Sequence, residues 1–130
     1  MGRGRVIVLD SSALLAIVKR EQGAEIVEAV LPDAAISVVN LTEILSKVSD
    51  WGLDAAAYEK NLRNLPLEFV DFSFTNAVTA GRLRKDTRAF GLSLGDRACL
   101  ALAFERQCSV LTADRNWAKL DIGVPIELIR

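Results

Sequence analysis

The amino-acid sequence predicts an α/β domain built on a central parallel sheet of four to five short strands with helices on both faces. Three observations predict it. Short β-branched runs alternate with helix-length segments, most helical segments open on a capping residue, and an apolar content of 51% over 130 residues is enough to fill a core. Strands that alternate with helices are joined by right-handed crossovers, which makes the sheet parallel. No linker, low-complexity tract or internal repeat interrupts the chain, so residues 1–130 read as a single domain.

Val6-Ile-Val-Leu9 suits a strand buried on both faces. Ser11 and Ser12 then offer N-caps for a helix from Ala13 to about Arg20. Gly23 interrupts the pattern, and Ala24 to Leu31 forms a short helix stopped by Pro32. Ala35-Ile-Ser-Val-Val39 reads as the second strand. Asn40 and Glu43 have the spacing of a capping box that opens a helix to about Trp51. Asp54 caps a helix ending near Pro66, and Leu67 to Val70 makes a third strand. Ser73 to Lys85 is amphipathic and helical, and a loop with Gly91 follows. Ser93 and Asp96 form another capping box, leading a helix through Arg106 that is apolar almost all round and belongs in the core. Ser109-Val-Leu-Thr112 is a strand, Asp114 starts a short helical turn carrying Trp117, and Val124 to Leu128 supplies a last strand or edge segment.

Composition removes several kinds of chemistry. The chain has no histidine, which excludes Ser-His-Asp and Cys-His nucleophile systems and imidazole-based RNA cleavage. Cys99 and Cys108 lack metal-site or redox spacing and read as small apolar residues. The basic MGRGR segment leads into an apolar run that ends at Asp10, short of a secretory core, and Val6 lacks the hydroxyl of a myristoylation signal at Gly2. No run approaches the roughly 20 apolar residues of a membrane span. The expected location is the cytoplasm, with no membrane partner. Sixteen Lys and Arg against 17 Asp and Glu give no overall basic face, so nucleic-acid contact would be local. The basic concentration is Arg82, Arg84, Lys85 and Arg88, which serves equally as the cationic end of a helix or as a phosphate contact. Trp51 and Trp117 read as core aromatics, and Tyr58 as a surface residue.

Four acids stand out: Asp10, Glu43, Asp96 and Asp114. Each sits where a strand or loop gives way to a helix, and singly each is explained by capping. Jointly they would meet beyond the carboxyl ends of the strands, where α/β sheets bind ligands. At an effective dielectric near 20, two carboxylates about 5 Å apart repel by roughly 3 kcal/mol, so such a cluster needs a counter-charge. No Lys lies beside any of the four in sequence. Arg97 and Arg115 flank two of them, with solvent exposure as the simplest expectation and acid pairing or phosphate contact as alternatives. A divalent cation, Mg²⁺ or Mn²⁺, is the simplest neutraliser for oxygen ligands. Ser11, Ser12 and Thr112 stand beside the acids as helix caps or as supports for a hydrated ion.

The segments VIVLDSSALLA, NLTEIL, GLSLGDRACLALA and LTADRNW, in that order, together resemble the PIN-domain nucleases, most closely the VapC-type toxins of toxin–antitoxin pairs. The resemblance runs over the whole chain and implies a PIN-like fold. By position it implies that Asp10, Glu43, Asp96 and Asp114 are the catalytic, ion-holding quartet, supported by Ser12 and Thr112. Asn116 stands where many relatives carry a further Asp, and its neutral oxygen is a weaker ligand for a second ion. The resemblance further implies a Mg²⁺-dependent endoribonuclease, a homodimer, and a cognate VapB-type antitoxin whose C-terminal segment crosses the active site. Arg82, Arg84, Lys85, Arg88, Arg97 and Arg115 are the candidate RNA contacts.

The expected chemistry is hydrolysis of an RNA phosphodiester by water, with Asp10, Asp96 and Asp114 holding the ion and Glu43 orienting the water or completing the ion's shell. Phosphatase chemistry of the haloacid dehalogenase type needs an acid where Ser12 stands. A receiver-like phosphoacceptor has no use for Glu43 and Asp96. The alternative from another class is a non-catalytic PIN-like interaction module whose acidic pocket receives a basic partner segment.

Overall fold

In the computed structural model, residues 6–130 are described. The basic N-terminal MGRGR segment, and Gly2 with it, lies outside them. Five parallel strands form one sheet: β1 (Ile7–Leu9), β2 (Ala34–Ser37), β3 (Glu68–Val70), β4 (Ser109–Thr112) and β5 (Ile126–Leu128), in the order β3-β2-β1-β4-β5. The helices are α1 (Ser11–Lys19), α2 (Ala24–Val30), α3 (Val38–Asp50), α4 (Ala55–Arg63), α5 (Phe74–Thr87) and α6 (Leu94–Arg106). Short 3-10 turns follow α2 and α5, and another runs over Arg115–Lys119. The predicted parallel α/β sheet is therefore present, with five strands.

Alternation along the strands divides the core in two. Ile7, Leu9, Ile36 and Leu111 pack with residues of α1 to α4 on one face. Val8, Ala35 and Val110 pack on the other against Leu100, Leu102 and Ala103 of α6 and against Trp117. Every residue of β1, β2 and β4 is buried, as expected of strands covered on both sides. The α6 segment predicted to be core is buried at each position from Ala98 to Ala103.

Several boundaries differ from expectation for local reasons. Asp10 caps α1 by accepting from the Ala13 amide, and Ser11 and Ser12 are its first helical residues. β2 stops at Ser37, whose hydroxyl accepts from the Val39 amide, so α3 begins at Val38. Asn40 and Glu43 thus lie inside the helix and form no capping box. Two β-branched valines adopt helix because a capping serine precedes them and α3 must cross to the next strand, an instance of context overriding propensity. The Ser93–Asp96 box and the Asp54 cap are as predicted, and α5 has a box of its own between Ser73 and Asn76. Trp117 is fully buried, but Trp51 is 42% exposed at the end of α3, with the Lys19 ammonium 4.9 Å from its ring centre. Tyr58 is half-buried. No helix among the described residues is long and apolar enough to cross a membrane.

Candidate active site

β1 lies at the centre of the sheet. From it the chain winds through β2 to β3 on one side, then crosses back to β4 and β5 on the other. The switch in winding therefore falls between β1 and β4, the place beyond the strand ends where sheets of this kind bind ligands. Asp10 follows β1 directly, and its amide continues the ladder by donating to Leu111 at 3.2 Å. Thr112 ends β4, and Asp114 follows two residues on. Asp96 enters from the first turn of α6 and Glu43 from the second turn of α3.

Asp10 is 5% exposed and heavily hydrogen-bonded. Its Oδ1 accepts from the Ala13 amide at 3.0 Å and the Ser12 hydroxyl at 2.7 Å, and its Oδ2 from the Thr112 hydroxyl at 2.9 Å. Each hydroxyl is itself oriented by the backbone after β4: Ala113 N–H donates to Ser12 Oγ at 2.9 Å and Asp114 N–H to Thr112 Oγ1 at 3.0 Å. The predicted supports Ser12 and Thr112 thus bind Asp10 and fix its plane. Burial pushes the Asp10 carboxyl up to about 6, the Asp96 charge adding to the rise and the three hydrogen bonds opposing it. Asp96 is raised as well, first by burial and then by the charges of Glu43 and Asp114, against its hydrogen bonds to Ser93.

Glu43 Oε1 accepts from Ser11 Oγ at 2.5 Å and from Asn40 Nδ2 at 2.9 Å. Asp96 Oδ2 accepts from the Ser93 amide at 2.9 Å, and Asp114 Oδ1 from the Asn116 amide at 3.0 Å. The other oxygen of each of these three acids has no hydrogen-bond partner among the described residues, and no described cationic side chain pairs with any of the four acids. Arg97 is half-buried and donates to the Ala80 carbonyl of α5 at 3.0 Å instead of standing in solvent. Arg115 is exposed and donates to the carbonyl of Arg130 at 2.9 Å. Arg82, Arg84, Lys85 and Arg88 are all exposed along the end of α5 and the turn after it. Asn116 is exposed.

Among the described residues no three acidic or cysteine side chains stand close enough to make a ready-formed ion cage. Each acid is tethered to its own helix start or to neighbouring polar groups. The donor set nevertheless suits a hard divalent cation. It is all oxygen, has no cationic partner among the described residues and leaves three oxygens without a hydrogen bond from them, and Mg²⁺ is commonly held by one or two carboxylates with waters completing the octahedron. Cys99 is no donor, because burial first and then the surrounding acids hold its thiol neutral, well above its ordinary range. Its Sγ faces the Leu9 carbonyl at 3.7 Å.

Sequence reasoning paired Asn40 with Glu43 only as a capping box, missing the bond from its side-chain amide to the Glu43 carboxylate, and it missed Gly95. A Cβ on Gly95 would overlap the Glu43 carboxyl group. Glycine in the first turn of a helix, where it is disfavoured, was the available signal.

A five-stranded parallel sheet with four acids beyond its switch point defines an α/β protein with an acidic candidate site. The sequence profile of the PIN domain matches residues 7–123, and the chain belongs to the PIN-domain family. No curated protein sequence matches the chain significantly. Among solved structures, the fold is similar to the DNA-bound VapBC of Salmonella typhimurium, at 18% identity and a TM-score of 0.74, covering 97% of this chain and 99% of that one. A toxin–antitoxin complex from Klebsiella pneumoniae aligns at 19% identity and a TM-score of 0.74, covering 95% and 98%. VapBC-5 of Mycobacterium tuberculosis, a member of the VapBC family of toxin–antitoxin systems, aligns at 27% identity and a TM-score of 0.63, covering 96% and 98%.

Proposed function

We propose that the chain is a Mg²⁺- or Mn²⁺-dependent endoribonuclease, acting in the cytoplasm as the toxin of a VapBC-type pair. The observation that carries this reading is the uncompensated acidic pocket at the switch point of the sheet. Membership of the PIN family and likeness to VapBC complexes support the nuclease and toxin roles and a cognate VapB-type antitoxin. An RNA substrate is supported by exposed Arg82, Arg84, Lys85 and Arg88, a few residues before Ser93 and Asp96. A homodimer is supported by an apolar strip on α5, where Phe74 is 87% exposed and Val78 follows one turn later at 38%.

Asp10, Asp96 and Asp114 are the residues that would hold the cation. When bound, a divalent cation supplies acidity to water and positive charge to phosphate oxygens. The chain's own groups do the rest. Ser12 and Thr112 hold Asp10 rigidly by both oxygens. Glu43, anchored through Oε1, presents Oε2 to orient the attacking water and take its proton as the water oxygen bonds to phosphorus. The bond from phosphorus to the 3′ oxygen breaks, and that oxygen takes a proton from solvent. The products carry 5′-phosphate and 3′-hydroxyl ends.

End-labelled total RNA incubated with antitoxin-free protein, in Mg²⁺, Mn²⁺ or chelator, tests the reading beside Asp96→Asn. Discrete cuts that need the cation, bear 5′-phosphates and vanish in the variant are expected. Cyclic 2′,3′-phosphate ends would refute the water mechanism. No cutting by folded, cation-binding protein would favour the interaction module.

A further inference from the structure

We propose that Asn40 and Gly95 are positioning residues for Glu43, forming with Ser11 a cradle across α1, α3 and α6 that holds one oxygen of its carboxylate and leaves the other free beside Asp96. The consequence for catalysis rests on the nuclease reading, whereas the cradle itself stands on geometry.

Asn40 is 1% exposed and its amide nitrogen is directed at three acceptors: Glu43 Oε1 at 2.9 Å, the Gly95 carbonyl at 3.1 Å and Ser11 Oγ at 3.2 Å. Ser11 adds its own hydroxyl to the same Glu43 oxygen. One amide group thus joins the acid to residues of α1 and α6 that lie 29 and 55 positions from Asn40 in sequence. Its Oδ1, by contrast, is buried with no hydrogen-bond partner among the described residues. Burying an unsatisfied acceptor is unfavourable, and a side chain selected for stability alone would avoid it. The amide is turned to serve Glu43.

Gly95 gives a second, independent observation. It is the second residue of α6 and carries no positive φ, so no backbone strain calls for glycine there. What its missing side chain provides is room, because a Cβ would overlap the Glu43 carboxyl group. Helix-destabilising glycine at this point, one residue before Asp96, lets α6 close over Glu43 and brings the two acids to the same pocket.

Asn40→Ala, Gly95→Ala, Glu43→Gln and the Asn40→Ala/Glu43→Gln double variant test the cradle, with thermal melting as the check on folding. On an RNA oligonucleotide, Asn40→Ala and Gly95→Ala are expected to lower kcat by about 10- to 100-fold with KM little changed, the scale of a displaced catalytic group. In the Glu43→Gln background Asn40→Ala should lower kcat no further. Wild-type kcat in Asn40→Ala, or losses that multiply in the double variant, would overturn the proposal. A readout independent of cleavage is hydrogen exchange of the Asn40 side-chain amide, followed by NMR. It should be slow in the wild type and faster in Gly95→Ala, and unchanged exchange there would refute the cradle. Where wild type cuts no RNA, the nuclease reading fails and amide exchange judges the cradle by itself. Where Asn40→Ala does not fold, Gly95→Ala, altered only in the space at the carboxylate, carries both measurements.

Discussion

Asp10 shows how one residue serves two ends. It caps α1 with one oxygen, as any N-cap would, but it also sits buried among acids, and burial lifts its carboxyl to about 6 from 3.8. With a folded value above the unfolded one, the native protein holds more protons between those limits, so stability falls as pH rises through them. The difference at neutral pH is about 3 kcal/mol. In chelator, urea denaturation should therefore show stability declining from about pH 4 to above 6, with Asp96 contributing in the same direction. Asp10→Asn should flatten the profile, and stability that rises across this window would contradict the burial argument. Thr112→Val keeps shape but removes the hydroxyl from Asp10 Oδ2 and from the Asp114 amide. A loss of about 1.5–3 kcal/mol is expected near neutral pH and less at pH 4, where the acid is protonated. At this scale Asp10, Asp96 and Asp114 were legible as capping acids, because helix starts advertise such residues, whereas Glu43 was read from a capping box that the fold does not form. The contact of Gly95 with Asn40 and Glu43 was not legible, since nothing in the local sequence announces partners more than fifty residues away.

Elements were legible where a local signal stood alone. The Ser93–Asp96 box needs only four residues, and both of its hydrogen bonds are present. Ser93→Ala should lose about 1 kcal/mol and, by freeing Asp96, weaken Mn²⁺ binding measured by calorimetry. Where two caps competed, the reading failed. Ser37 and Asn40 are both cap formers three residues apart, and tertiary geometry favoured the earlier one. Gly23 was read correctly as a break, for a reason invisible in sequence. Its φ is +96°, and a Cβ there would strike the carbonyl of Ile129. Gly23→Ala should accordingly destabilise the protein by about 1–3 kcal/mol in thermal or urea melts, by combining left-handed strain with that clash.

For the whole molecule, the topology turns scattered acids into one pocket. β1 and β4 are neighbours although Leu9 and Leu111 are far apart in the chain, and the Thr112–Asp10 bond joins their ends. A divalent cation held there, as proposed, would offset the burial and relieve the repulsion that raise Asp10 and Asp96, so binding should appear as stability. Mn²⁺ at about 100 times its Kd should add about 2.7 kcal/mol to the free energy of unfolding and raise Tm. Asp96→Asn should reduce the gain, whereas an equal rise in that variant would indicate that the ion binds elsewhere. Chelator should return the wild type to its cation-free Tm.

By itself the sequence determined the alternation of strands and helices, the four acids as candidates and the absence of histidine, because periodicity, motif and composition are properties of short stretches of chain. Tertiary structure decided which strands are neighbours, that Asp10 is buried while Asp114 is exposed, that Arg97 turns to the backbone of α5, and that Asn40 and Gly95 hold Glu43. Those outcomes depend on contacts between elements, whose energies exceed local preference and which no single segment encodes.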